Sequence, residues 1–438
     1  MERRSFHIVT FGCQMNEHDS ERIAGILEAQ GYDHVSSPEL ASLVILNTCS
    51  IRQKAEQKFY SELGRLRELK QTNPGLKIAV AGCIAQQEGA GILARAPHVE
   101  MVFGPSDIAN LPTVLERSRA GDARAVATGG DPDYHRKNIR AARSDGIKAW
   151  VSIMYGCDNF CTYCVVPYLR GRERSRPAGD IVREVQELAE RGYREVTLLG
   201  QNVNSYGKGT REDVDFPELL RRVNDVPGIE RIRFVTSHPK DLSNALAAAL
   251  RDLPKICEAV HLPMQSGSDR VLAAMNRKYT AADYLDKIKR LRDAVPEIAV
   301  TTDIIAGFPG ETDADFEMTM DALRTVGFDG IFAFKYSKRP NTAALKLPDH
   351  LEEEVKDRRL SRVLALQREV TDRKNQEQVG VVHEVLVDGH SRKGGALAGR
   401  TRGNRVVNFT GPDDLIGRTV LVRITSANAN SLSGELCE

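Results

Sequence analysis

Eight cysteines lie in a chain of 438 residues, and six of them fall into two patterns. Gly156-Cys157-Asp158-Asn159-Phe160-Cys161-Thr162-Tyr163-Cys164 sets three thiols on one short stretch, as C-x3-C-x2-C. A structural zinc takes four ligands, and no fourth cysteine or histidine follows at finger-like spacing. Three close thiolates suit a [4Fe–4S] cluster with one iron left open to an exogenous ligand. Cys13, Cys49 and Cys83 form the second pattern, each just past an apolar run: Phe6–Phe11, Leu43–Leu46 and Ile78–Ala81. They recur about every 35 residues, close to one βαβ unit. Parallel strands of one sheet present their C-terminal ends at the same edge, where ligands bind in open α/β sheets. Three thiols in that register can meet as a shared ligand set; the competing reading is three buried thiols acting as small hydrophobes. Each also precedes or starts a helix, where the N-terminal dipole favours the thiolate. Cys257 reads as a core thiol, and Cys437 as a residue with no ligand role.

The elements that must position these groups read as α/β. Residues 1–120 form a Rossmann-like parallel α/β domain, and the polar, Gly-rich stretch 121–146 reads as a linker. Residues 147–376 carry the C-x3-C-x2-C loop after a strand at Trp150–Met154. Further strands are expected at Glu195–Leu199, Arg231–Val235, Ala259–Leu262, Val300–Ile305 and Ile331–Phe334. Amphipathic stretches separate them, which predicts a partial (β/α)6 barrel open at the side for a large substrate. Chemistry in such barrels sits at the C-terminal strand ends. Gly200, Gln201 and Asn202 stand there, as do Gly307 and Glu311; they are candidates for holding a cofactor, or for simply closing turns. His238 and His261 read as ordinary hydrogen-bonded histidines, with catalysis the alternative. The run Arg170-Gly171-Arg172-Glu173-Arg174-Ser175-Arg176 is either a solvated face or, through Arg170 and Arg172, a phosphate or carboxylate clamp.

A long amphipathic helix is expected over Leu351–Gln376, and the period then drops to two. Val381–Val387, Arg405–Phe409 and Thr419–Ile424 read as strands of a small closed OB-like all-β barrel, residues 377–438. Arg392, Lys393, Arg400, Arg402 and Arg405 gather on its connecting segments. Such modules often bind RNA, and Arg400, Arg402 and Arg405 are the candidates for that contact; a packing domain is the alternative.

Composition constrains the partners. The chain has 61 basic and 60 acidic residues, a net charge of +1, so only local patches can argue for nucleic acid. With 41% hydrophobic and 28% charged residues it is an ordinary globular sequence rather than a disordered or coiled-coil one. No apolar run is long enough to span a bilayer, and the start lacks a signal-peptide core. A cytoplasmic location is therefore expected, in which thiols stay reduced and clustered cysteines bind metal or catalyse.

The C-x3-C-x2-C motif with an aromatic residue, Tyr163, before its last cysteine resembles the signature of the radical S-adenosylmethionine superfamily. Over essentially the whole chain the three parts resemble the methylthiotransferases: an N-terminal domain with three cysteines, a radical S-adenosylmethionine core and a C-terminal TRAM domain. The local words are Gly12-Cys13-Gln14-Met15-Asn16, Asn47-Thr48-Cys49-Ser50-Ile51-Arg52, Lys54-Ala55-Glu56-Gln57-Lys58 and Gly200-Gln201-Asn202-Val203-Asn204-Ser205-Tyr206. They look like the branch that methylthiolates C2 of N6-isopentenyladenosine at position 37 of tRNA. Branches acting on an aspartate of a ribosomal protein or on threonylcarbamoyladenosine usually carry Pro-Lys or Lys-Val where this chain has Gln14-Met15.

The resemblance implies two [4Fe–4S] clusters. Cys157, Cys161 and Cys164 would hold the one that binds S-adenosylmethionine and yields a 5′-deoxyadenosyl radical. Cys13, Cys49 and Cys83 would hold the one that carries the sulfur. Tyr163, Gly200, Gln201, Asn202, Gly307 and Glu311 would contact S-adenosylmethionine. The implied partners are the tRNA anticodon stem-loop and an electron donor such as a flavodoxin or ferredoxin, with the enzyme a monomer away from membranes. A metal-stabilised RNA-binding protein without catalysis is the rival from another class.

Overall fold

A computed structural model of the chain describes residues 4–50, 53–121, 124–131, 133–143, 146–208, 210, 213–391 and 394–437. Arg392, Lys393 and the Ile51-Arg52 pair lie outside the described residues. The chain divides into two compact units: Met1–Ser144 with Met154–Asp158 and Cys164–Pro177, and Asp145–Ile153 with Asn159–Tyr163 and Ala178–Glu438.

The first unit is built on a six-stranded parallel sheet in the order Asp33–His34, Ser5–Phe11, Leu43–Thr48, Lys77–Gly82, Met101–Phe103, Ala125–Ala127. Its central strands are covered on both faces, which is why Leu43–Leu46 and Ile78–Ala81 are continuous apolar runs. Of the stretch 121–146, expected as a linker, the described residues up to Arg143 fall within this unit. Ala125-Val126-Ala127 pairs with Met101–Phe103 as the sixth strand, and Tyr134 is buried beyond it. Three small apolar residues among glycines and charges gave too short a pattern to be read as a strand.

In the second unit all six expected barrel strands are present, as two parallel three-stranded sheets. One runs Arg231–Phe234, Glu195–Leu199, Lys148–Ser152; the other runs Ala259–His261, Ala299–Ala306, Gly330–Lys335. Among the described residues a single parallel bridge, Ile232 to Ile256, links the two sets, and none pairs them on the other side, so the barrel is partial. The helix after it spans Glu353–Gln376. Its buried face is largely polar, with Lys356, Arg359 and Gln367 beside Val363 and Val370, while Leu364 is exposed.

The C-terminal segment closes into a five-stranded barrel: Val382–His390, Leu397–Thr401, Val406–Phe409, Leu432–Leu436, Thr419–Ala427. Two of these strands, Leu397–Thr401 and Leu432–Leu436, were not visible in the period-two pattern. The barrel seats on the N-terminal ends of the α/β strands, where Lys148 reaches Asp388 at 2.6 Å and Thr419 reaches Glu230 at 2.9 Å. Among the described residues no helix is long and apolar enough to cross a membrane.

Candidate active site

Register brings the first three cysteines together. Phe11 pairs with Thr48, and Thr48 with Gly82, so these three strands stop level with one another. Cys49 and Cys83 are the next residues of their chains, and Cys13 follows Gly12. A Cβ on Gly12, whose φ is +155°, would stand 2.7 Å from Cys49 Cβ; one on Gly82, at φ +87°, would stand 2.7 Å from the Thr48 carbonyl oxygen. Only glycine permits both the turn and the approach of thiol to backbone. Buried amides brace the edge. Asn47 donates to the Asn16 carbonyl at 2.8 Å and to Ser20 Oγ at 2.9 Å, and Asn16 Oδ1 accepts from Cys13 N at 3.4 Å.

Cys49 is the middle thiol, with both Cys13 and Cys83 acting on it. The Cys13 and Cys83 thiols are drawn down, first by the bond to Cys49 and, against burial, by the nearby Arg170 cation. Cys49 is pushed up by those same two bonds and by burial. The N–H groups of Met15 and Asn16, in the first turn of the helix Gln14–Ala29, add to the lowering at Cys13. Thr48 Oγ1 and Ser50 Oγ, on either side of Cys49, are buried with no hydrogen-bond partner among the described residues. Three adjoining thiols, two of them favouring the thiolate beside a cation, are a suitable donor set for an iron–sulfur group. Among the described residues no three His, Cys, Asp or Glu side chains already form a metal-ion cage, so this fit rests on order and donor chemistry.

Arg170 takes the carboxylate arm of its two expected alternatives. It is 9% exposed, and its Nη2 donates at 2.7 Å to Asp19, which is fully buried. That guanidinium serves the thiol edge rather than a phosphate-facing surface. Arg172 is 70% exposed and forks onto Asp158 at 2.7 and 3.2 Å. Neither Asp19 nor Arg22, which donates at 2.6 Å to both Tyr134 and Tyr155, was singled out in the sequence.

The C-x3-C-x2-C loop runs between the strand Lys148–Ser152 and the short helix Val166–Leu169. Cys157 and Cys161 are buried, and Cys164 is half-buried. In the second unit the segment Asn159–Tyr163 is held from the helix Asp269–Ala274 and the turn after it. Thr162 Oγ1 donates to the Ala274 carbonyl at 2.8 Å, and Asn276 Nδ2 to the Phe160 carbonyl at 2.9 Å. Arg277 Nη1 donates to Cys161 Sγ at 3.4 Å and to Tyr163 Oη at 3.3 Å. Asn276-Arg277-Lys278 was not singled out in the sequence.

Further along the same unit, polar atoms with unmet hydrogen bonds gather at the C-terminal strand ends. Asn202 donates to Asp241 at 2.8 Å, yet its Oδ1 is buried without a partner among the described residues. Ser237 Oγ, His238 Nε2 and Gln265 Oε1 share that condition. Such buried orphans are rare, and each invites a ligand atom. Thr236 and Gln265 adopt φ of +68° and +71°, strained for non-glycine residues and typical of functional loops. Burial holds His238 down to about 2, so it stays neutral and, accepting from Lys240 N, keeps Nε2 for another partner. Gly200 is buried and Gln201 half-buried beside Asn202.

Glu311 Oε2 accepts from Gly307 N at 2.8 Å and from Arg359 at 2.7 Å, which fixes the Gly307–Glu311 turn; burial raises its carboxyl against both. On the open side of the barrel, pairing sets Phe332 beside Asp303 and Phe334 beside Ile305. Phe332 and Phe334 are 52% and 40% exposed. His261 hydrogen-bonds Thr301 at 3.0 Å and meets the Phe332 ring edge-on at 5.7 Å.

The C-terminal arginines also stand elsewhere than expected. Arg402 forks onto Glu258 at 2.7 and 2.8 Å and donates to the Ile256 carbonyl at 2.6 Å; Arg405 reaches Asp329 at 2.7 Å. Arg231 and Arg233 return the contact through the carbonyls of Arg400 and Arg402 at 2.6 and 2.8 Å. Arg400 keeps a half-exposed side chain bonded to Asn404. These pairs fasten the small barrel to the α/β strands. Replacing Arg402 and Arg405 by alanine is expected to cost roughly 1.5–3 kcal/mol at each site. Chemical denaturation reads that loss; unchanged stability with a salt-dependent loss of RNA affinity would return both arginines to an RNA-binding role.

Three family models match the chain: Uncharacterized protein family UPF0004 over residues 5–104, the Radical SAM superfamily over 151–323 and the TRAM domain over 376–437. A tRNA-2-methylthio-N(6)-dimethylallyladenosine synthase of Thermodesulfovibrio yellowstonii is 51% identical over 436 residues, covering 100% of this chain and 99% of that protein. The protein of the same name from Syntrophotalea carbinolica is 50% identical over 99% of each chain. Among solved structures, the radical S-adenosylmethionine methyltransferase TsrM of Kitasatospora setae, with cobalamin and a [4Fe-4S] cluster bound, is similar with a TM-score of 0.58 at 15% identity, over 78% of this chain and 74% of that one. That likeness concerns the fold. With three adjoining cysteines at one sheet edge, three more on the loop of a partial barrel and full-length identity of this order, the chain belongs to the methylthiotransferase family of radical S-adenosylmethionine proteins, with the tRNA-2-methylthio-N(6)-dimethylallyladenosine synthases.

Proposed function

We propose that this protein is a tRNA-modifying enzyme that places a methylthio group on C2 of N6-isopentenyladenosine at position 37. The observation that carries the reading is the 51% identity, end to end, with a synthase of that name. Membership of the superfamily brings S-adenosylmethionine and an iron–sulfur cluster as cofactors. An unactivated aromatic C–H bond offers no acid–base handle, and a reduced cluster with S-adenosylmethionine supplies the radical that can break it.

The chain's own residues have separate tasks. Cys157, Cys161 and Cys164 would hold that cluster. Cys13, Cys49 and Cys83 would hold a second one, with Arg170 balancing thiolate charge. Tyr163, Gly200, Gln201, Asn202, Gly307 and Glu311 would line the cofactor, and His238 and Gln265 join them on the strength of their unmet polar atoms. Glu311 acts through Gly307 and Arg359, keeping the turn closed. Phe332 and Phe334 offer aromatic faces on the open side of the barrel, where a splayed base can stack. Arg172 and Arg400 remain for phosphate contact.

Anaerobic reconstitution with iron and sulfide, followed by incubation with S-adenosylmethionine, reductant and tRNA bearing isopentenyladenosine, tests the whole. Nucleoside mass spectrometry is expected to show the 2-methylthio product. Cleavage of S-adenosylmethionine without that product, and with methylthiolation of a ribosomal protein, would redirect the substrate.

A further inference from the structure

We propose that Arg277 is a positioning residue of the C-x3-C-x2-C loop, a buried cation that bonds the Cys161 sulfur and raises the reduction potential of the cluster held there. The proposal rests on Cys161 being a cluster ligand.

Arg277 is 4% exposed. Among the described residues its side-chain hydrogen bonds go to Cys161 Sγ at 3.4 Å, Tyr163 Oη at 3.3 Å, the Pro263 carbonyl at 2.7 Å and Tyr279 Oη at 2.9 Å. The Tyr279 ring lies 5.2 Å from the guanidinium carbon. No carboxylate is among these partners. A buried guanidinium without a counter-charge is costly, and a cluster held at the Cys161 sulfur would supply one.

The backbone leaves Arg277 little choice. Asn276 and Lys278 on either side adopt left-handed φ of +59° and +63°. The same turn grips the cysteine loop, with Asn276 Nδ2 on the Asn159 and Phe160 carbonyls at 3.2 and 2.9 Å and Thr162 N on the Met275 carbonyl at 3.1 Å. The cation and the thiol are therefore fixed to each other at both ends of a short span.

Reduction moves one electron from an external low-potential donor to the cluster and makes no other bond. The added negative charge is stabilised by a fixed cation and an N–H···S bond more in the reduced than in the oxidised state, which raises the potential.

The test uses the full chain with Cys13, Cys49 and Cys83 replaced by alanine, so that one cluster forms on reconstitution. Redox titration followed by electron paramagnetic resonance is expected to place Arg277→Gln at a more negative midpoint, and Arg277→Lys, which keeps the charge, closer to the parent. An unchanged midpoint in Arg277→Gln with full iron content overturns the proposal. Should Arg277→Gln not retain iron, resonance Raman of Arg277→Lys decides: a displaced Fe–S(Cys) stretch supports the bond, and an unmoved one overturns it. A parent that binds no iron refutes the ligand assignment itself, which separates that failure from a failure of Arg277's role.

Discussion

Replacing Cys161 with alanine is expected to abolish reductive cleavage of S-adenosylmethionine. The sulfur is buried and central to the C-x3-C-x2-C loop, and its removal leaves two thiols where the cluster needs three. Loss of an outer-shell partner of a metal site already costs 10–100-fold, so loss of a ligand is expected to cost about a thousandfold or more. Arg277 would then face an alanine methyl group and lose its one sulfur partner, which further disfavours a remnant site. The measurement is 5′-deoxyadenosine formed under excess reductant, alongside iron per chain. Iron is expected to fall by about half, because the other three cysteines are untouched. Cleavage at the parent rate would remove Cys161 from the ligand set and, with it, the reading of the loop.

How far such a site can be read in the sequence depended on whether its signal is local. Cys157, Cys161 and Cys164 declare themselves by spacing alone. Cys13, Cys49 and Cys83 are visible because a parallel sheet turns a βαβ repeat into adjacency, and the register Phe11–Thr48–Gly82 is the physical form of that repeat. The barrel strands were legible because short β-prone runs recur between amphipathic helical stretches.

Other features depend on partners far along the chain, which no local pattern announces. Arg402 and Arg405 look like an RNA grip until Glu258 and Asp329 are seen opposite them, 144 and 76 residues away. Arg170 sits in a basic run, yet its charge is consumed by Asp19, 151 residues earlier. The strands Leu397–Thr401 and Leu432–Leu436 were hidden by Gly399 and Gly434, where a Cβ would stand 2.4 and 2.5 Å from the carbonyl oxygens of Leu386 and Arg423. Tight sheet packing there demanded glycine, and glycine erased the pattern by which strands are recognised. Arg277 was missed because a turn residue between an asparagine and a lysine gives no sign of facing inward.

Replacing Cys49 with alanine is expected to separate the two halves of the chemistry. Cys49 is the thiol on which both Cys13 and Cys83 act, so its loss breaks the triad at its centre rather than at one end. Thr48 Oγ1 and Ser50 Oγ, already without partners among the described residues, would flank a methyl group. The C-x3-C-x2-C loop keeps all its thiols, and 5′-deoxyadenosine formation is expected to stay within about a factor of two to three. The methylthio nucleoside is expected to fall by about a thousandfold, because the proposed sulfur-carrying site would have lost a ligand. Cys257→Ala serves as the control: its thiol is buried and pushed up to about 11, chiefly by that burial, and its loss is expected to leave both products intact. Normal methylthiolation by Cys49→Ala, with normal iron content, would mean that the three adjoining thiols are a structural edge and that the inserted sulfur is held elsewhere. A loss of both products together would instead tie Cys49 to the radical step, against a division of labour between the two thiol sets.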